Sequence, residues 1–474
     1  MLQHPKPLSA EPLGAAAPSA WLPAPPPPTT SASLTTRLVP LWLMGVMVLL
    51  PLDIVKLPLN MTPVDVWIMA GLPLLWLSFL REKQVMGVLY FIPMLLILIA
   101  SFVSTFGTPE PRNALVVILK EVYIFIWFIT LAAVFAQLDA HNLRRVLIVW
   151  SAVVFVHGFI LIGQFLSPSF WRLIVSFAGK PHGYEFYRPA GLFINANSAG
   201  FFQLLGFAPL MLVCRSRQSA MILGMILLST MLVTGSMGAT VAFAAGAAVA
   251  IGAIALSGRI MLLIKSFAQL TFVVLLFGSL LFVVIYQNQR YQEHFESIFL
   301  GRAERSSEGR FYLWQRGIDE FINSDLLLWG IGPENFREVD WQGKQLHNDL
   351  IAFSVERGMV GVGGLVLFVA LMAGRAAYMI VLHLRRPEQS SLAVVVFLGA
   401  TVAAVMESLT HQTFHFRELW IIWALQEGLL FQMLMADRSS QRAKVRWPAP
   451  RQVCLLTAGA ADSHSRVWSS QYAD

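Results

Sequence analysis

The chain has only two cysteines among its 474 residues, Cys214 and Cys454, too few for a disulfide framework or a multi-thiolate metal site. Charge is scarce too. Asp, Glu, Lys and Arg make up 13% of the residues, about half of the ~25% usual in soluble domains, and this excludes an ordinary water-soluble enzyme. No Walker A motif and no His-Glu-x-x-His helix occurs, so P-loop chemistry and zinc-protease chemistry lack their residues. No Asp-x-Asp tripeptide is present either, which removes the metal-binding carboxylate pair of nucleotide-sugar enzymes. The sequence shows no internal repeat of the sort common in transporters.

Apolar residues are what it has. They make up 56% of the chain, and the mean hydropathy is +0.64. That much apolar surface excludes disorder of the whole chain. At about 20 residues per membrane crossing, the sequence predicts an all-α polytopic membrane protein with about twelve transmembrane helices. The expected spans lie near 38–57, 63–80, 85–105, 114–137, 143–166, 191–213, 219–235, 238–257, 260–286, 350–381, 391–410 and 418–436. Residues 1–36 read as a disordered Pro/Ala-rich tail without the basic head and apolar core of a signal peptide. Residues 37–286 hold the first nine spans, 287–349 a large loop containing short helices, 350–436 the last three spans, and 437–474 a basic tail.

Lys and Arg in the short loops set the orientation. With the N-terminus in the cytoplasm, Arg81/Lys83, Arg144/Arg145, Arg215/Arg217, Arg259/Lys265 and Arg385/Arg386 all fall inside, as does the basic tail. Both cysteines then lie on the reducing side, and no disulfide is expected. The large loop falls outside, yet it carries Arg290, Arg302, Arg305, Arg310, Arg316, Arg337 and Lys344. A basic surface above a membrane suggests an anionic ligand. Nothing points to nucleic acid.

Three outward-facing segments carry candidate chemistry. Tyr187 to Asn197 (Tyr-Arg-Pro-Ala-Gly-Leu-Phe-Ile-Asn-Ala-Asn) leads into the sixth span and puts Asn195 and Asn197 at the rim of the bilayer with Arg188 just above. Unpaired amides are costly there, so they either bond to neighbouring helices or serve a ligand. In Gly309 to Ile318, Phe311, Trp314 and Ile318 recur at helical spacing, giving an amphipathic helix on the membrane face, with Arg310 at its start and Arg316 further along. Gly330-Ile331-Gly332-Pro333 forms a turn and is followed by His347-Asn348 just before the next span. A neutral imidazole there suits a general base; the plainer reading is a structural histidine at the membrane boundary. His411 and His415, spaced i, i+4 in the last outer loop, would bind a metal only if that loop were helical, and the usual glutamate is missing. Lys120, Glu121 and Glu407 lie within spans, where a functional role and a structural ion pair are both open.

Together the three segments resemble the O-antigen ligase/polymerase family of bacterial envelope glycosyltransferases. The resemblance rests on Arg188 to Asn197, on Gly309 to Trp314, and on Gly330 to Asn348 followed by Glu356-Arg357-Gly358 and Gly361. One departure stands out: many members carry a Ser-Arg pair between the seventh and eighth spans, where this chain has Ser236-Met237-Gly238. The resemblance implies inverting, metal-independent and cofactor-free transfer of a glycan from an undecaprenyl-diphosphate carrier to an acceptor hydroxyl, on the periplasmic face of the inner membrane. The protein would be a polymerase or a ligase of surface polysaccharide such as O-antigen or exopolysaccharide. The partners implied are the lipid-linked glycan, a polysaccharide or lipid acceptor, membrane lipids and other polysaccharide assembly proteins. Under this reading Arg188 and Arg310 bind the diphosphate, and His347 is the catalytic base. Asn195, Asn197, Trp314, Arg316 and Asn348 support them. The competing reading is a secondary transporter or lipid flippase of the envelope.

Overall fold

A computed structural model describes residues 34–57, 61–82, 88–177, 188–214, 216–256, 301–323, 327–339, 345–384 and 394–446. The expected N-terminal tail up to residue 33, the ninth span (260–286) and the C-terminal tail from 447 lie outside the described residues. All regular structure among the described residues is helical. The helices are α1 (Leu34–Leu49), α2 (Pro63–Glu82), α3 (Val88–Ser104), α4 (Pro111–Gln137), α5 (Ala140–Leu166), α6 (Pro168–Phe177), α7 (Ala196–Leu205) and α8 (Phe207–Val213). They continue with α9 (Arg217–Val233), α10 (Met237–Leu256), α11 (Gly301–Asn323), α12 (Phe336–Val339), α13 (Asp349–Leu384), α14 (Val395–Ser408) and α15 (Arg417–Arg446). The chain divides into two compact units, residues 1–433 and 434–474.

Seven stretches are long and apolar enough to cross a membrane: Leu89–Gly107, Pro111–Gln137, Ala140–Leu166, Ala196–Val213, Met237–Leu256, Asp349–Leu384 and Arg417–Asp437. Leu38–Leu49, Gln218–Val233 and Val395–Ser408 are shorter apolar helices. Each coincides with an expected span, and the protein is a multi-pass membrane protein. Three boundaries differ most from the sequence reading. The first span is expected to run to residue 57, but its helix ends at Leu49, ahead of Pro51 and a short 3-10 turn at Leu52–Ile54. The sixth span is expected from residue 191, but its helix starts at Ala196, because Ala190 N, Gly191 N and Leu192 N donate to side chains of α5 instead of to helical carbonyls. The last helix continues through the start of the expected basic tail to Arg446.

Small residues set the tightest helix pairs, as they do between helices in lipid. Gly246 of α10 and Gly399 of α14 meet backbone to backbone, and a Cβ on either would strike the other chain segment. Gly361 and Gly364 let α13 lie against Ala100, Ile97 and the Pro93 carbonyl of α3. α1 and α2 exchange indole bonds, Trp42 Nε1 donating to the Trp67 carbonyl (3.2 Å) and Trp67 Nε1 to that of Trp42 (2.9 Å).

The loops expected on the outer side are joined to one another at one end of these helices. Ile54 N donates to the Leu192 carbonyl (2.9 Å). Arg188 reaches the turn between α9 and α10, Asn195 reaches His411, and Asn348 donates to the Leu409 carbonyl (3.0 Å). Glu110 N donates to Asn335 Oδ1 (3.1 Å).

α13 is interrupted in its first third. Gly358 has φ 64° and ψ −167°, and residues 327–332 cross the break. Met359 N and Val360 N donate to the Leu327 and Leu328 carbonyls, while Ile331 N and Gly332 N donate to those of Val355 and Glu356. The Gly330 to Gly332 turn and the Glu356-Arg357-Gly358 motif are thus two halves of one crossing, with glycine at each of its positive φ angles, Gly330, Gly332 and Gly358.

Candidate active site

Residues 188–195 enter the helices as irregular chain, tolerated beside spans only where protein satisfies the backbone. α5 does this with two buried side chains. Gln164 Oε1 accepts from Ala190 N (3.1 Å) and Gly191 N (2.8 Å), and His157 Nε2 accepts from Leu192 N (3.3 Å). Gln203 lies behind His157, 2.9 Å from its Nδ1, and accepts from Thr230 Oγ1 at 3.0 Å. Gly191 has φ 62°, and a Cβ there would enter the His157 ring.

Arg188 is half-buried at the mouth of this loop. Its Nε donates to the Thr234 carbonyl (3.1 Å), and its Nη2 donates to the Gly235 carbonyl (2.8 Å) and to Asn197 Oδ1 (2.9 Å). A guanidinium therefore binds the carbonyls of the two residues that follow α9, at a helix C-terminus where a cation is favoured. The turn at Ser236-Met237-Gly238, which has no arginine of its own, thus receives one from elsewhere in the chain. Asn195 caps α7, its Oδ1 accepting from Asn197 N (2.6 Å) and Ser198 N (3.3 Å). Its Nδ2 lies 3.3 Å from His411 Nε2.

His347 follows Leu346 in the left-handed region, φ 51°, which fits a chain turning sharply into α13. Trp314 Nε1 donates to the Leu346 carbonyl (3.0 Å) and so fixes the residue before His347. Asn348 Oδ1 accepts from Ile351 N (3.1 Å) at the start of α13. The His347 ring is stacked on that of His411, centroids 5.6 Å apart and planes 25° from parallel. Asp349 Oδ2 accepts from Thr413 N, Thr413 Oγ1 and Phe414 N (2.8–3.0 Å), tying the His411 loop to the start of α13.

α11 sorts its arginines by face. Leu313 and Gly317 are buried, against a cluster that includes Leu346 and Val355. Arg310 shares that inward sector and is half-buried, whereas Arg316, about 120° round the helix, is exposed. Burial holds the Arg310 guanidinium below its usual range, with the Glu407 carboxylate opposing. Glu407 is fully buried, and a Cβ on Gly238 would fall 2.6 Å from its Oε2. Burial, together with the charges of His347, Arg310 and Arg188, pushes the His411 imidazole down to about 3.

The structure therefore brings Arg188, Asn195, Asn197, Arg310, Trp314, His347 and Asn348 to one end of the bundle, in direct contact or in one another's field, and leaves Arg316 on the exposed face. It adds His411 and Glu407, for which the sequence offered only a metal pair and a buried acid. The metal pair does not form: the loop is not helical, and His415 turns to Glu121 (3.8 Å). Among the described residues no group of three His, Cys, Asp or Glu side chains is placed to hold a metal ion.

Residues 222–369 match the family model described as O-antigen ligase. The matched stretch holds Arg310, Trp314, His347, Asn348 and the break at Gly358, and it excludes Arg188 and His411. No curated protein matches the chain.

Proposed function

We propose that this chain, residues 222–369 of which match the O-antigen ligase family model, transfers a glycan from an undecaprenyl-diphosphate carrier to an acceptor hydroxyl, facing the periplasm, in an inverting reaction that uses no metal. The acceptor oxygen attacks the anomeric carbon as the bond from that carbon to the diphosphate oxygen breaks. The electron pair leaves with the diphosphate, and the hydroxyl proton passes to His347. Arg188 and Arg310 offset the charge gathering on the leaving group, an electrostatic role most effective in a preorganised, water-poor site. Apolar helix surfaces below hold the polyprenyl chain.

The observation that carries this reading is the convergence of residues far apart in sequence. His347 stacks on His411, His411 contacts Asn195, and Asn195 adjoins the Asn197–Arg188 pair, while Arg310 faces the same region from α11. Growth of a polysaccharide is favoured over end-point attachment by the departure at Ser236-Met237-Gly238. The transporter reading has less support, because Glu121 is already engaged by Arg357.

The test is His347→Ala in cells that make the polysaccharide, followed by its length ladder. A general base contributes about 10²–10⁴ in rate, so the ladder should collapse at normal protein levels. An unchanged ladder removes His347 from the chemistry. Purified protein with lipid-diphosphate glycan should give transferred product without an ion gradient; gradient-dependent uptake without transfer would favour the transporter.

A further inference from the structure

The mechanism above leaves one histidine of the site without a task. His411 is 7% exposed, with Asn195 at its Nε2, the His347 ring on its face and the Phe416 ring against it at 5.3 Å. Its neighbours fix its tautomer. Asn195 Oδ1 is committed to two backbone N–H groups of α7, so the amide group facing His411 is the Nδ2 donor. A donor facing Nε2 makes that nitrogen the acceptor, and the ring proton then resides on Nδ1. Nδ1 is buried and meets no hydrogen-bond partner among the described residues. An unmet buried N–H is costly and calls for an explanation. The imidazole is held neutral by its burial and by the cations around it, so it keeps a single proton at neutral pH.

We infer that His411 is a binding residue of this site, its Nδ1–H donating to a phosphate oxygen of the diphosphate that Arg188 and Arg310 attract. The inference rests on the reading of those two arginines given above and extends it. Asn195, at the His411 Nε2, adjoins the Asn197–Arg188 pair, and both arginines bear electrostatically on the ring. A neutral donor adds a hydrogen bond without the repulsion that a third cation would meet there. Its stacking on His347 sets the donor to the leaving group beside the proposed base. No proton moves to or from His411 in this role.

The test uses the full chain in nanodiscs, titrated with inorganic diphosphate. Wild type binds, and Arg310→Ala weakens binding. His411→Phe keeps the ring face but lacks the N–H, and it weakens diphosphate binding by about tenfold or more, as expected for a hydrogen bond to a charged acceptor. His411→Asn, whose amide reaches the place of Nδ1, recovers part of that loss. Histidine-selective ¹⁵N NMR of the ligand-free protein shows a protonated Nδ1 and a bare Nε2 for the ring whose signals vanish in the His411 variants, and diphosphate shifts that Nδ1 signal. If wild type and Arg310→Ala bind diphosphate equally, the arginine reading itself fails. If Arg310→Ala weakens binding while a folded His411→Phe does not, the inference falls and the arginine reading stands. A proton found on Nε2 overturns the inference too, and this can be read from wild type and His411→Asn even if His411→Phe does not fold.

Discussion

At the scale of single residues, the site depends on burial as much as on residue type. Arg310 and Arg316 lie six residues apart on one helix, yet only Arg310 faces inward towards Glu407. Arg310→Ala should therefore reduce glycan transfer by at least about tenfold more than Arg316→Ala, since solvated charges contribute little and preorganised ones much; in vitro transfer rates with both variants check this. His411 also links stability to pH. Its ordinary value of 6.5 falls to about 3 in the folded protein, so below pH 6.5 the unfolded chain takes up a proton that the folded one refuses. Its contribution is fully present above pH 6.5 and is lost as pH falls towards 3. Thermal melts between pH 7 and 4 should show this decline, and His411→Phe should make it shallower.

At the scale of elements, the long helix α13 is two helices joined at a glycine. Gly358 takes a positive φ, and a Cβ there would strike the Leu328 backbone and Trp329 N. Gly358→Ala meets both obstacles, and its cost should exceed the ~1 kcal/mol of an incompatible backbone alone. The expected result is a lower melting temperature of purified protein and weaker transfer, because the same crossing anchors the loop that leads to His347. An unchanged melting temperature would mean that the break at Gly358 is not needed. The glycine motif was legible as a turn in the sequence. Its partner was not, because backbone pairing between 327–332 and 355–360 leaves no mark in residue type other than glycine.

At the scale of the whole molecule, buried ion pairs join helices that are distant in sequence. Arg357 on α13 pairs with Glu121 on α4 and donates to Ser101 Oγ on α3 (3.0 Å), with its guanidinium over the Phe353 ring. Arg417 grips Asp65 with two bonds (2.7 and 2.6 Å), and Arg375 grips Glu427. Removing one member of a buried pair costs about 3–5 kcal/mol, whereas replacing both with apolar residues of similar size is often tolerated. Glu121→Ala should thus sharply reduce the yield of folded protein. Glu121→Leu combined with Arg357→Met should recover part of it, as read by monodisperse elution in detergent. If the double variant is no better than the single, Glu121 has a role beyond pairing.

The sequence by itself determined the class and the span-forming segments, because apolar runs of membrane length have no other stable environment. It also determined which residue types were chemically exceptional, such as Arg188, Arg310 and His347, since polar groups near spans stand out against an apolar background. The tertiary structure decided how they are used. It set Arg188 on the α9 turn, turned Arg310 inward and Arg316 outward, locked Glu121 into an ion pair, and brought His411 from a separate loop onto His347. Composition and spacing report what each segment must bury, but a hydrogen bond or a ring stack between separate segments exists only once the helices have packed.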